Sequence, residues 1–431
     1  MIADNAVGVI VTRLRTRPEL LFAGLAVALG LARGLNFLVF LWILKPDGFS
    51  VMTDRLPYWD FTNLWGGTLM ALRGHVTYLF DAEAYRHEIR LLLSPLMPDQ
   101  EWSYPPSMLL IGIPFAGLPI FIAYILWILG TLLLLFLATK PLGLAWWARI
   151  FIVASPAAIV NVLVGQNGAL TTALLLSGLL LAPGRPIIAG ILFGLLTVKP
   201  QLGVLVPFCL LASGNYRAIL SAGVTALFLV IVTGLLFGFD VWLLFWTETR
   251  PLMTSILEAP FSYGYQVNAT TFFILTRSLG LGLTASYSLQ MVASVVAIAT
   301  TLWLWRSSTV IEHRSKVCLT ILLTLIATPY GYSYDTIPMN VAAAYFFFNY
   351  RGLLAPLGAA WLYPLYNQQV ARQLAPLGAV VLAALAACVL VRILRDRCSP
   401  GADMATTAEE SRATASSAQP ARSDGSCPSA G

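Results

Sequence analysis

The sequence predicts an all-α fold, a polytopic helical bundle embedded in a membrane, and three observations carry that prediction. Of the 431 residues, 58% are hydrophobic and only 11% charged, less than half the roughly 25% of an average soluble domain. Mean hydropathy is +0.78. Apolar segments recur from Leu20 to Arg392 with no polar block long enough to fold separately. A water-soluble enzyme is therefore excluded, and residues 1–398 are expected to form one integral membrane domain.

The segments follow from the roughly 20 residues a helix needs to cross about 30 Å of hydrocarbon. Candidate spans are 20–44, 106–139, 145–163, 168–182, 187–199, 201–213, 217–237, 284–305, 317–330, 335–349, 353–365 and 374–394, about twelve in all. Several are short, which suits interior helices whose ends are satisfied by neighbouring protein. The first is expected to be an uncleaved span, because Arg13, Arg15 and Arg17 precede a long apolar run without a small-residue cleavage site. Segment 106–139 is too long for one straight span and is cut by Pro114 and Pro119. Residues 106–118 are therefore expected to be half-inserted or interfacial.

The net charge of +6 comes from Lys and Arg residues standing singly in short loops, an orientation signal rather than a nucleic-acid surface. With the N-terminus in the cytoplasm, Lys140, Arg149, Arg185, Arg217, Arg306, Arg314, Lys316, Arg351, Arg392, Arg395 and Arg397 all fall inside. Residues 45–105, 238–283 and the turn around Tyr330–Asp335 then lie outside. The tail, 399–431, is rich in Ala, Ser and Thr and is expected to be a disordered cytoplasmic segment. The five cysteines form no CxxC or Cys/His cluster, so neither structural disulfides nor a metal site is expected.

The polar residues collect on the predicted outer face. Residues 45–105 carry Asp54, Asp60, Arg73, His75, Asp81, Arg86 and His87. Phe61, Leu64, Trp65, Leu69 and Leu72 fall at helical spacing, which predicts an amphipathic helix in the interface, and AEAYRHEIRLLL reads as a second. Asp60 precedes the first of these, so it is either an N-cap worth about 1 kcal/mol or a reactive carboxylate. Gln166 and Asn167, Lys199 and Gln201, and Tyr330, Tyr332, Tyr334 and Asp335 occupy the turns between later spans. Lys199 has no acid nearby in sequence, so its expected partner is an anion from elsewhere, a phosphate. Snorkelling to lipid headgroups is the alternative.

The order WDF, RG, YLFD and SYPP in the first loop, then GQN, LTVKPQLG and TPYGYSYD, resembles glycosyltransferase family 87 over Leu20 to about Tyr350. The resemblance implies a GT-C fold, a polyprenyl-phosphate sugar donor with mannose foremost, and a site at the periplasmic face of a bacterial-type inner membrane. It also implies that Asp60 in YWDFTNLW is the catalytic base. The sequence differs from better-known mannosyltransferases in its tyrosine-rich TPYGYSYD turn and in WDF, which leaves the sugar and the acceptor open.

Such a donor carries its own leaving group, so the reaction requires no cofactor. It requires a base for the acceptor hydroxyl and a cation for the departing phosphate. Asp60 and Lys199 fit those roles. Asp54, Arg73, Tyr104, Gln166, Asn167, Gln201, Tyr332, Tyr334 and Asp335 are substrate-binding candidates, with aromatic rings available to stack on sugars. The partners implied are the lipid-linked donor, a lipid or glycan acceptor and membrane lipids, with no nucleic acid. A transporter or flippase of lipid-linked saccharides is the competing class, but it would place charge at mid-membrane on broken helices in two related halves.

Overall fold

A computed structural model describes residues 18–398 except 263, 307, 309 and 351. The residues expected to form a cytoplasmic N-terminus and a disordered tail lie outside those described. The chain divides into two units, Met1–Cys388 and Val389–Gly431; of the second, residues 389–398 are described and are helical.

Among the described residues the secondary structure is helical, with two isolated bridges, Leu44 with Ser50 and Ala269 with Tyr332. The first half of the chain forms α1 (Pro18–Leu41), α2 (Trp59–Leu72), α3 (Ala82–Leu92), α4 (Met108–Ala116), α5 (Ile120–Ala138), α6 (Trp146–Val153), α7 (Pro156–Val164), α8 (Gly168–Leu181), α9 (Pro186–Leu195) and α10 (Val206–Ala212). The second half forms α11 (Tyr216–Phe237), α12 (Asp240–Leu244), α13 (Arg250–Glu258), α14 (Phe272–Ser278), α15 (Leu283–Trp305), α16 (His313–Ala327), α17 (Ile337–Asn349), α18 (Leu354–Gln373) and α19 (Gly378–Cys398). All twelve predicted apolar segments are thus helical, and Pro119 separates α4 from α5.

Five of these helices, α1, α5, α11, α15 and α19, are long and apolar enough to cross a membrane, and the pair α6 and α7, bent by 44°, makes a sixth if taken as one span. On α11, Leu220 and Leu235 are 71% and 72% exposed, an apolar surface that water would not tolerate and lipid would cover. The shorter apolar helices α8, α16 and α17 are buried along nearly their whole length. Of the long helices, α5 packs on α8 and α15 on α16, while α1 lies against α18 and α7 and α11 against α9.

The reading of α2 as an interfacial amphipathic helix is corrected by the structure. The helix forms, but Trp59 to Thr68, together with Met70 and Ala71, are buried. The reason is a set of polar anchors that periodicity does not reveal. Thr62 Oγ1 donates to Gln100 Oε1 at 2.8 Å and Gln100 Nε2 to the Trp59 carbonyl at 2.7 Å. Tyr85 of α3 donates to Asn63 Oδ1, and Trp65 Nε1 reaches the Leu118 carbonyl at 3.0 Å. Gly67 lets the Trp102 ring lie against the helix; a Cβ there would come within 2.5 Å of it. Helix α3 keeps the expected amphipathic pattern, with only Tyr85 and Ile89 buried and Asp81 capping it through the Glu83 and Ala84 N–H groups.

Candidate active site

Asp60 is the second residue of α2, and the cap reading fails on geometry. Tyr58 holds the N-cap position, no side chain there bonds the helix N–H groups, and Asp60 Oδ2 accepts instead from Gln166 Nε2 at 3.1 Å. Gln166 is placed by the start and stop chemistry of α7. Ser155 caps that helix through the Ala158 N–H and Pro156 opens it, while Gly165 ends it with φ +73. A left-handed residue favours glycine, and a Cβ on Gly165 would also lie 2.6 Å from Phe61 Cβ. The turn that carries Gln166 and Asn167 is therefore pressed against the start of α2.

Lys199 stands at a break dictated by Pro200. After α9 the chain tightens into a 3-10 turn, Leu196–Val198, and Lys199 adopts φ −142, ψ 70, outside the helical region that a residue before proline avoids. Its side chain runs inward. Nζ donates to Asp335 Oδ1 at 2.5 Å and to Asn167 Oδ1 at 3.0 Å, and sits 5.2 Å from the Tyr334 ring centre. Snorkelling is excluded, since Lys199 is 6% exposed. Within the chain its acid partner is Asp335, distant in sequence and brought near by the turn between α16 and α17. That turn packs on α8 because Gly168 has no side chain; a Cβ there would lie 2.2 Å from the Tyr334 carbonyl oxygen.

Tyr332 and Tyr334 stack with ring centres 5.4 Å apart, and Asp335 Oδ2 accepts the Tyr332 N–H at 3.4 Å. Tyr104 is buried, with its ring packed edge-on against Trp102 at 5.4 Å between centres. Gln201 lies half-buried in the Pro200–Gly203 turn without a hydrogen bond to the cluster. Two candidates lie elsewhere. Asp54 is exposed and paired with Lys45 at 2.6 Å. Arg73 is exposed just past the end of α2, about 20 Å along the helix from Asp60 at 1.5 Å per residue.

Burial dominates the electrostatics. It pushes the Asp60 carboxyl up to about 6, opposed by the Gln166 hydrogen bond, Arg55 and Lys199, and reinforced by Asp335. Asp335 is also raised by burial, with Lys199 pulling the other way. Burial likewise raises the phenols of Tyr104 and Tyr265.

Three contributors carried no sequence signal. Tyr265, in the Gly264–Asn268 turn of the second long connection, lies close enough for Asp60 to raise its phenol. Arg55 sits 4.6 Å over the Trp59 ring. Asn161 fixes the start of α8 by accepting the Ala169 N–H at 3.2 Å. An apolar cavity of about 400 Å³ lies between α1, α6, α17 and α18, lined in part by Ala343, Phe347, Leu357 and Trp361; no residue of the charged cluster borders it.

A family model described as Glycosyltransferase family 87 matches residues 102–329, more than half of the chain. The chain belongs to glycosyltransferase family 87. It is accordingly a membrane glycosyltransferase, with a sugar donor and an acceptor as substrates. No curated protein and no solved structure matches it. The family 87 match contains Tyr104, Gln166, Asn167, Lys199 and Gln201 but neither Asp60 nor Asp335. Those two carboxylates are tied to the matched region by their hydrogen bonds to Gln166 and Lys199.

Proposed function

We propose that the protein transfers a hexose, with mannose foremost, from a polyprenyl-phosphate donor to a lipid or glycan acceptor by single inverting displacement. Asp60 takes the proton of the acceptor hydroxyl as its oxygen bonds to the anomeric carbon. The bond from that carbon to the phosphate oxygen breaks, and polyprenyl phosphate leaves with the electron pair. A β-linked donor thus gives an α-linked product. Lys199 faces the leaving phosphate: two of its three N–H groups are held by Asp335 and Asn167, which leaves one to donate. Tyr332 and Tyr334 offer stacked rings to a sugar. No cofactor is needed, since the leaving group is already on the donor.

The observation that carries this reading is a buried carboxyl and a buried lysine held by the adjacent residues Gln166 and Asn167 in a chain of this family. The convergence of the charges on turns, rather than at mid-helix, favours transfer over transport. We place the site at the periplasmic face of a bacterial-type inner membrane, in a GT-C-like bundle of about twelve membrane segments, with 45–105 as the outer loop.

The test is purified protein in detergent, given a synthetic polyprenyl-phosphate mannose with total membrane lipid extract as acceptor. Asp60→Asn keeps the shape and an acceptor for Gln166, and should lower turnover at least about 100-fold, the lower range for loss of a general base, with donor retention unchanged. Activity within a few-fold of wild type would remove Asp60 from the mechanism. A cysteine at exposed Asp54 should react with an impermeant maleimide added outside intact cells; protection there would place the loop in the cytoplasm and end the periplasmic reading.

A further inference from the structure

Gln166 is held on all sides by protein. Its N–H donates to the Asn161 carbonyl at 3.0 Å, and its carbonyl accepts from Trp127 Nε1 at 3.3 Å. Side-chain Oε1 accepts the Asn167 N–H at 3.3 Å. With the amide oxygen engaged there, Nε2 is the end presented to Asp60 Oδ2 at 3.1 Å. Among the described residues this is the single hydrogen bond to the Asp60 carboxyl. An amide engaged in this way has little left for a sugar hydroxyl, which counts against its earlier reading as a substrate contact.

We propose that Gln166 is a positioning residue for Asp60: by gripping Oδ2 it fixes the plane of the carboxyl and leaves Oδ1 as the oxygen that receives the acceptor proton. The proposal rests on Asp60 being the base. A hydrogen bond to the charged form favours that form, and Gln166 is the largest influence opposing the burial of Asp60. The other charged and titratable groups around Asp60 are Arg55 ahead of α2, Lys199 between α9 and α10, Asp335 and Tyr334 before α17, Tyr104 ahead of α4, and Tyr265 ahead of α14.

The experiment reads Asp60 in two ways in the same full-length preparations. Titration of ¹³C-labelled aspartate carboxyls, with Asp60→Asn as the assignment control, gives the protonation midpoint directly. The acid limb of the initial rate, at subsaturating polyprenyl-phosphate mannose with lipid extract as acceptor, gives it through function. Gln166→Met should raise both midpoints by about one pH unit, the size expected for losing a hydrogen bond to the charged form. The isosteric Gln166→Glu, which keeps the shape should the methionine variant fold poorly, should raise them further by placing two carboxyls together. An Asp60 midpoint unchanged in both variants overturns the proposal. A raised midpoint with an unmoved acid limb leaves Gln166 gripping the carboxyl and overturns Asp60 as the base, so the two failures are distinct.

Discussion

Replacing Asp60 by asparagine should stabilise the protein at neutral pH even as it abolishes transfer. Burial carries this carboxyl from its ordinary 3.8 to about 6, so between those values the folded chain binds a proton that the unfolded chain has released. Ionising Asp60 in the folded state therefore has a cost, absent below the unfolded value and complete once the pH exceeds the folded one. At 1.36 kcal/mol per unit, the cost relieved at pH 7 is about 3 kcal/mol. The amide retains a carbonyl for Gln166 Nε2, so the comparison isolates the charge. Unfolding free energies in detergent, taken from pH 3 to pH 8 for both proteins, should show almost no difference at the acid end and a plateau favouring the variant above pH 7. A variant less stable at every pH would mean that its partners, not burial, govern Asp60, and the reasoning would fail.

The rate of the unmodified protein should fall on the acid side with a midpoint near pH 6, because only the ionised Asp60 can accept a proton; a flat profile down to pH 5 would contradict this. Lys199→Gln and Asp335→Asn should each cost about 3–5 kcal/mol in stability, because either leaves a buried charge unpaired, while the double variant should recover most of it; equal losses in all three would show that the two residues are not coupled. Gly168→Ala forces a Cβ to 2.2 Å from the Tyr334 carbonyl oxygen. Overpacking of that kind costs about 1–3 kcal/mol and should displace the turn that carries Asp335, which thermal unfolding and turnover would register together.

What could be read in the sequence depended on the range of the cause. Helix positions follow from local hydropathy, and all twelve segments are helical. Their depth does not: α2 carries an apolar stripe that suits an interface, but Thr62, Asn63 and Trp65 find partners at Gln100, Tyr85 and Leu118, contacts that periodicity cannot encode. The polar turns were legible as a set because charge is scarce in this chain. Their pairing was not. Lys199 and Asp335 are 136 residues apart in sequence, and nothing in either local stretch names the other. Asp54 and Arg73 stood out for the same scarcity of charge, yet both lie exposed and apart from the cluster.

The buried pair also explains why a neutral amide matters so much at Asp60. Lys199 alone would favour the ionised carboxylate strongly in a low-dielectric interior, but Asp335, bonded to the same ammonium, acts on Asp60 with the opposite sign. The two fields oppose each other. Against burial the largest influence is the Gln166 hydrogen bond, followed by Arg55, which is exposed and open to screening by salt. An ammonium already balanced by its own carboxylate can sit near the base without pulling it far below neutrality, where a carboxylate would be too weak to take a hydroxyl proton. In the proposed mechanism the pair thus separates two demands that a lone lysine would set in conflict: a cation to meet a leaving phosphate, and a base kept near pH 6.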